Sequence, residues 1–122
     1  MVSSILVIED NPLLRDNIKE ILELEDYHVH VAENGKIGLE MAFDLRPDLI
    51  LSDINMPLLN GFEVLEAIRA NPETSAIPFI FLSVKRTLED QNFGNDLGAS
   101  SYITKPFDMK DLLHTVSSHL NQ

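Results

Sequence analysis

Ile5-Leu6-Val7-Ile8, Leu49-Ile50-Leu51 and Phe79-Ile80-Phe81-Leu82 are continuous apolar runs, without the polar alternation of a strand that has one wet face. Runs of this kind belong to strands covered on both faces, as in a parallel sheet with helices above and below. Each ends in residues able to handle a phosphoryl group or its metal. Glu9-Asp10 follows the first, Asp53 the second after Ser52 closes its strand, Ser83 the third, and Lys105-Pro106 follows a shorter run, Tyr102-Ile103-Thr104. As parallel strands of one sheet, these runs gather all those groups at its carboxyl edge, where open α/β folds place their sites.

Helical patterns separate the runs. Leu14, Ile18, Ile21 and Leu22 recur at helical spacing, with Arg15, Asp16, Lys19, Glu20 and Glu23 opposite them. Val29, Val31 and Ala32 read as a second strand, and Asn34-Gly35 turns the chain into a helix carrying Ile37, Leu39, Met41, Ala42 and Phe43. Arg46-Pro47 ends that helix, because a residue before proline avoids the α region. Asn60-Gly61 leads into a third helix with Phe62, Val64, Leu65 and Ile68. Thr87 to Leu97 is a weaker fourth, and Pro106 and Asp108 begin a fifth that buries Met109, Leu112, Leu113 and Val116. This alternation predicts an α/β fold, a doubly wound, five-stranded parallel sheet with five helices on both faces, and the order is taken as 2-1-3-4-5, one of the two common doubly wound orders of flavodoxin-like folds. The switch point then falls between strands one and three, where Glu9, Asp10 and Asp53 meet.

A chain of 122 residues is about one domain long, and residues 1–122 read as one such unit. Ending just after its last helix, the chain fits a free-standing protein or one domain of a longer one equally. No apolar run approaches the roughly 20 residues that span a bilayer, and Met1-Val2-Ser3-Ser4 lacks the basic stretch of a secretory signal. The reading is cytoplasmic, with no membrane insertion. Zero cysteines exclude disulfides, a thiol nucleophile and thiolate metal sites. Twenty acidic against nine basic side chains give a net charge of −11, which repels a phosphate backbone and argues against direct nucleic-acid binding.

Three carboxylates at one sheet edge repel one another unless a cation is supplied. Oxygen-only donors with no cysteine and no nearby histidine suit a hard ion such as Mg²⁺. Singly, each residue has an ordinary role: Glu9 and Asp10 suit a helix start, Asp53 a turn, Ser83 a strand end and Lys105 a solvated surface. Together at corresponding strand ends they suit phosphoryl chemistry. Asp53 is then a nucleophile toward phosphorus, Ser83 a hydrogen-bond donor to a phosphoryl oxygen, and Lys105 the balancing positive charge.

Glu9-Asp10, Asp53 followed by Met56-Pro57 and Gly61, Ser83, and Lys105-Pro106-Phe107 together resemble the receiver domains of two-component response regulators, with the similarity running from Ile5 to Leu120. The resemblance implies that Glu9 and Asp10 form the acidic pair around Mg²⁺, that Asp53 is both the phosphorylated aspartate and a metal ligand, and that the backbone carbonyl of Asn55 completes the protein ligands. It implies phosphoryl contacts from Ser83 and Lys105 and a cis Lys105-Pro106 bond. A histidine kinase or histidine phosphotransfer protein would donate from phosphohistidine, the receiver itself catalysing the transfer and, later, slow hydrolysis of the aspartyl phosphate. Ser83 and Tyr102, the position of the family's switch aromatic, would then move and alter the face made by the fourth helix, fifth strand and fifth helix, to which a downstream protein binds.

Some residues depart from the family's commonest pattern. Glu9 stands where aspartate is more frequent. Val84 replaces a small residue beside the phosphoryl pocket, and its β-branched bulk is expected to slow phosphoryl loss or select among donors. Asn92, Gly94, Asn95 and Asp96 crowd the second half of the fourth helix, which is expected to exchange conformation on phosphorylation. Phe93 reads as a core-facing contact, Lys85-Arg86 as solvated loop residues, and His28 and His30 as half-exposed neighbours on an edge strand.

Two rival functions fit less well. A nucleotide or flavin carrier, sharing the flavodoxin-like strand order, would want a Gly/Ser/Thr-rich cradle after the first strand, where this chain has Glu9-Asp10-Asn11-Pro12. A haloacid-dehalogenase-like hydrolase resembles Asp-x-Asp after a strand, with the second acid as proton donor, and position 55 is Asn.

Overall fold

The computed structural model describes residues 2–84 and 88–120, so Lys85-Arg86 and Thr87 lie outside the described residues. Strand and helix alternate: β1 (Ser4–Ile8), α1 (Pro12–Leu24), β2 (His28–Ala32), α2 (Gly35–Leu45), β3 (Leu49–Asp53), α3 (Gly61–Ala70), β4 (Phe79–Ser83), α4 (Leu88–Leu97), β5 (Ser101–Thr104) and α5 (Met109–Leu120). The strands form one parallel sheet in the order β2-β1-β3-β4-β5.

Successive strand residues point to opposite faces, so each apolar run feeds two cores. Ile5, Val7, Leu49, Leu51, Ile80 and Leu82 pack against Ile18 and Leu22 of α1 and Leu112 and Val116 of α5. Leu6, Ile8, Ile50, Phe79 and Phe81 face the other way, onto Ala42 of α2 and Val64, Leu65 and Ile68 of α3. Unbroken hydrophobicity in β1, β3 and β4 is therefore a consequence of double coverage.

Asparagine caps pin the loops at the carboxyl edge. The Asn11 side chain accepts the Leu13 and Leu14 N–H groups, Asn34 that of Ile37, and Asn60 exchanges hydrogen bonds with Glu63 in a capping box. At α5 the Asp108 carboxylate accepts the Asp111 N–H at 2.7 Å.

Three local expectations change. Met109, expected in the core, is exposed, because it is the first residue of α5 and lines an open surface groove, while Phe107 packs against the core. Phe93 is half-exposed, edge-on to Phe62 with ring centroids 4.7 Å apart, because Gly94 takes the core-facing position of α4. Arg46 leaves the right-handed α region, yet at φ 46° it forms a left-handed cap rather than extended chain.

Candidate functional site

Sheet register assembles the site. Ile8 pairs with Ser52, so Glu9 and Asp53, each one residue further on, emerge side by side from β1 and β3. Asp53 pairs with Leu82 and Ser83 with Thr104, which brings Ser83 and then Lys105 to the same edge from β4 and β5. Ligand oxygens of Glu9, Asp10 and Asp53 all lie within 4.8 Å of one another. Glu9 is fully buried, Asp53 is recessed and Asp10 is exposed.

Lys105 compensates these acids. Its Nζ lies 2.7 Å from Glu9 Oε1 and 3.4 Å from Asp53 Oδ2. The second Glu9 oxygen accepts the Asn11 N–H at 3.2 Å, and Asp53 Oδ1 accepts the Ile54 N–H at 2.8 Å. Burial pushes the Glu9 carboxyl up to about 7; the Asp53 charge pushes the same way, and the Lys105 ion pair opposes both. One ammonium, paired with Glu9 and Asp53 and standing in a cluster of three acids, leaves negative charge in excess. Carboxylate oxygens at this spacing fit a hard divalent cation, which supplies the missing charge.

Ser83 is buried at the end of β4, and its carbonyl accepts the Lys105 N–H at 2.7 Å. The Lys105–Pro106 bond is cis, as expected. Asn55 lies in the exposed loop after β3. Tyr102, on β5, stacks obliquely on Phe81 at 5.4 Å, with its hydroxyl against the backbone of Gly94. Val84 points largely into solvent. His28 and His30 are edge-to-face neighbours on β2, away from this edge.

Two supporting residues escaped the sequence reading. Asn11 ties the α1 cap to Glu9, and Arg15 Nη1 donates to the Glu9 carbonyl at 3.0 Å. The Asn11-Pro12 pair was a readable helix-start signal; Arg15 was indistinguishable from any polar-face residue. In the loop after Asp53, Leu59 N–H donates to the Pro57 carbonyl at 2.9 Å, closing a γ-turn around Leu58, whose φ is 72°. A bulky residue held there costs roughly 1–3 kcal/mol. At the end of this loop Gly61 admits close packing: a side chain there would run into the Asp53 carbonyl.

A doubly wound sheet carries, at its switch point, a lysine and a cluster of acids able to hold a metal ion. Residues 5–117 match the model of the response regulator receiver domain, and the chain belongs to that family as a receiver of two-component signal transduction. Protein PilH of Pseudomonas aeruginosa is 38% identical over 119 residues, covering 98% of both chains. A probable transcriptional regulator, ycf29 of Pyropia yezoensis, is 37% identical over 118 residues, which are 97% of this chain and only 53% of that one, so the chain spans about half its length. Among solved structures, the receiver domain of sensor histidine kinase PA1611 of P. aeruginosa, with a magnesium ion coordinated in its active-site cleft, superposes with a TM-score of 0.92 at 27% identity, covering all of both chains. Among the described residues no helix is long and apolar enough to cross a membrane.

Proposed function

We propose that residues 1–122 act as one cytoplasmic receiver domain in which Asp53 accepts a phosphoryl group from phosphohistidine of a histidine kinase or histidine phosphotransfer protein. The observation that carries this reading is the register that sets Asp53 beside buried Glu9, with Lys105 reaching both. Glu9, Asp10, Asp53 and the Asn55 carbonyl hold Mg²⁺. When bound, the ion supplies positive charge to the oxygens of the transferring group.

An Asp53 oxygen forms the new O–P bond as the N–P bond of the donor breaks, and the imidazole leaves as a neutral group once it carries a proton. Lys105 neutralises charge on the phosphoryl oxygens and Ser83 donates a hydrogen bond to one of them. Asp53 already accepts the Ile54 N–H, which fixes the carboxylate's direction before any donor arrives. The chain works as a signalling module: its own transfer and slow dephosphorylation set the lifetime of a state read by a downstream protein at the α4-β5-α5 face, through Ser83 and Tyr102.

Incubation with Mg²⁺ and acetyl phosphate, followed by intact mass, tests the assignment. A labile single-phosphoryl adduct absent from Asp53→Asn is expected. Steady phosphate release from simple esters, or an adduct that survives Asp53→Asn, would overturn it.

A further inference from the structure

Leu13, Ile37, Leu58 and Val84 are all exposed, and all lie in loops or first helical turns that follow the carboxyl ends of strands. Apolar side chains thus ring an acidic centre in which Asp53 itself is only 14% exposed. Leu58 stands apart even in this ring. It is 71% exposed and its φ is 72°, so water disfavours the side chain and sterics disfavour the backbone. Glycine or asparagine suits that turn, and a polar side chain suits that exposure. Its neighbours have structural work: Pro57 accepts the γ-turn hydrogen bond, and Leu59 packs on the α2-α3 core with its carbonyl against Gly35. Among the described residues the Leu58 side chain belongs to neither core cluster, and strained backbone persists where function holds it.

We propose that Leu58 is a specificity-determining residue that contacts the phosphohistidine-bearing surface of the donor protein, an inference resting on the reading of Asp53 as phosphoacceptor. A histidine side chain is short and Asp53 is recessed, so the donor backbone must press on the rim for phosphorus to reach the carboxylate. The rim around Asp53 is apolar at Leu13, Leu58 and Val84, and a donor with apolar groups flanking its histidine removes that surface from water as it delivers the phosphoryl group. The γ-turn prevents Leu58 from folding back and keeps it presented, so little ordering remains to be done on docking.

Leu58→Gly and Leu58→Asn keep the turn and delete the contact. Each is compared with wild type in thermal stability, in Asp53 phosphorylation by acetyl phosphate, and in transfer from the fastest of a panel of purified, phosphorylated histidine phosphotransfer domains. Stability should hold or rise, and the acetyl phosphate rate should stay within about twofold. The second-order rate of protein-to-protein transfer should fall about tenfold, through weaker half-saturation rather than a slower saturated step. Unchanged transfer overturns the proposal, as does an equal loss with acetyl phosphate, which makes Leu58 a shaper of the pocket. Lost self-association with transfer intact assigns the rim to a second copy and also overturns it, as does a wild type that reacts with acetyl phosphate and with no donor of the panel. A wild type inert to acetyl phosphate is a distinct result, removing the Asp53 assignment and this inference together.

Discussion

The Lys105 ammonium lies 2.7 Å from the buried carboxylate of Glu9, closing a gap between two strand ends that are not neighbours in the sheet. Side chains of both are largely hidden from solvent, at 14% and 1% exposure. Replacing Lys105 by Met therefore strands a buried acid, and the metal-free protein should lose about 1–3 kcal/mol, less than for a fully buried pair because Glu9 can take up a proton. Mg²⁺ should recover most of that loss and bind the variant more tightly than wild type, since no ammonium has to be displaced. Thermal unfolding with and without Mg²⁺, and calorimetric titration, check this; equal metal-free melting temperatures in the two proteins would contradict it.

Glu9 makes metal-free stability depend on pH in the direction opposite to an ordinary ion-paired acid. Its folded-state pKa, about 7, stands above the ordinary 4.5, so between these values the folded chain binds more protons than the unfolded one. Stability from this group is present below about pH 4.5 and is lost as pH rises through 7, by at most about 3 kcal/mol. Wild type without metal should melt lower at pH 7.5 than at pH 5.5 by more than Glu9→Gln does. Parallel pH profiles for the two proteins would refute the assignment. Mg²⁺, which favours the ionised carboxylate, should flatten the wild-type profile.

Strand positions were legible because double burial writes continuous apolar runs, whereas the expected order of the sheet is simply one of the two common doubly wound orders. What stayed illegible depended on helix orientation at the rim. Met109 continues the apolar periodicity of α5, yet it lines an open surface groove with Glu25, Tyr27 and Leu113 and stays half-exposed. Phe93 and Gly94 illustrate the same limit: hydrophobicity favours the phenylalanine as the core residue, whereas the space between α4 and β5 admits only the glycine. Glu9, Asp10, Asp53 and Lys105 were readable as a set, but the left-handed backbone of Leu58 was not, because leucine carries no turn signal.

Arg69 of α3 fastens two loops through backbone carbonyls. Its Nε and Nη2 donate to the Gly98 carbonyl at 3.0 and 2.9 Å, and Nη1 donates to Ser75 and Ile77 carbonyls at 3.1 and 2.7 Å. A planar fork is needed to reach all three residues, so Arg69→Lys should lose about 2 kcal/mol despite keeping the charge. Hydrogen exchange should quicken at the turn from Gly98 to Ser100 more than in β1 or β3. Uniform change across the sheet would mean that Arg69 acts through global stability alone.

Gly94 tests the fit between α4 and Tyr102 by setting two effects against each other. Alanine is the better helix former by about 1 kcal/mol, so Gly94→Ala in an unobstructed helix stabilises. Here the added methyl would run into the Tyr102 hydroxyl, with Phe81 behind it, and one of the two groups must move. The clash should outweigh the propensity gain, giving a net loss of about 1–3 kcal/mol and a displaced tyrosine ring. Tyr102→Phe removes the atom struck first, so the double variant should be more stable than the sum of the single changes predicts. Because the chain has two tyrosines and no tryptophan, tyrosine emission reports the displacement, with Tyr102→Phe separating it from the Tyr27 signal. A stabilised Gly94→Ala whose emission matches wild type would show that α4 leaves room for a side chain at this position.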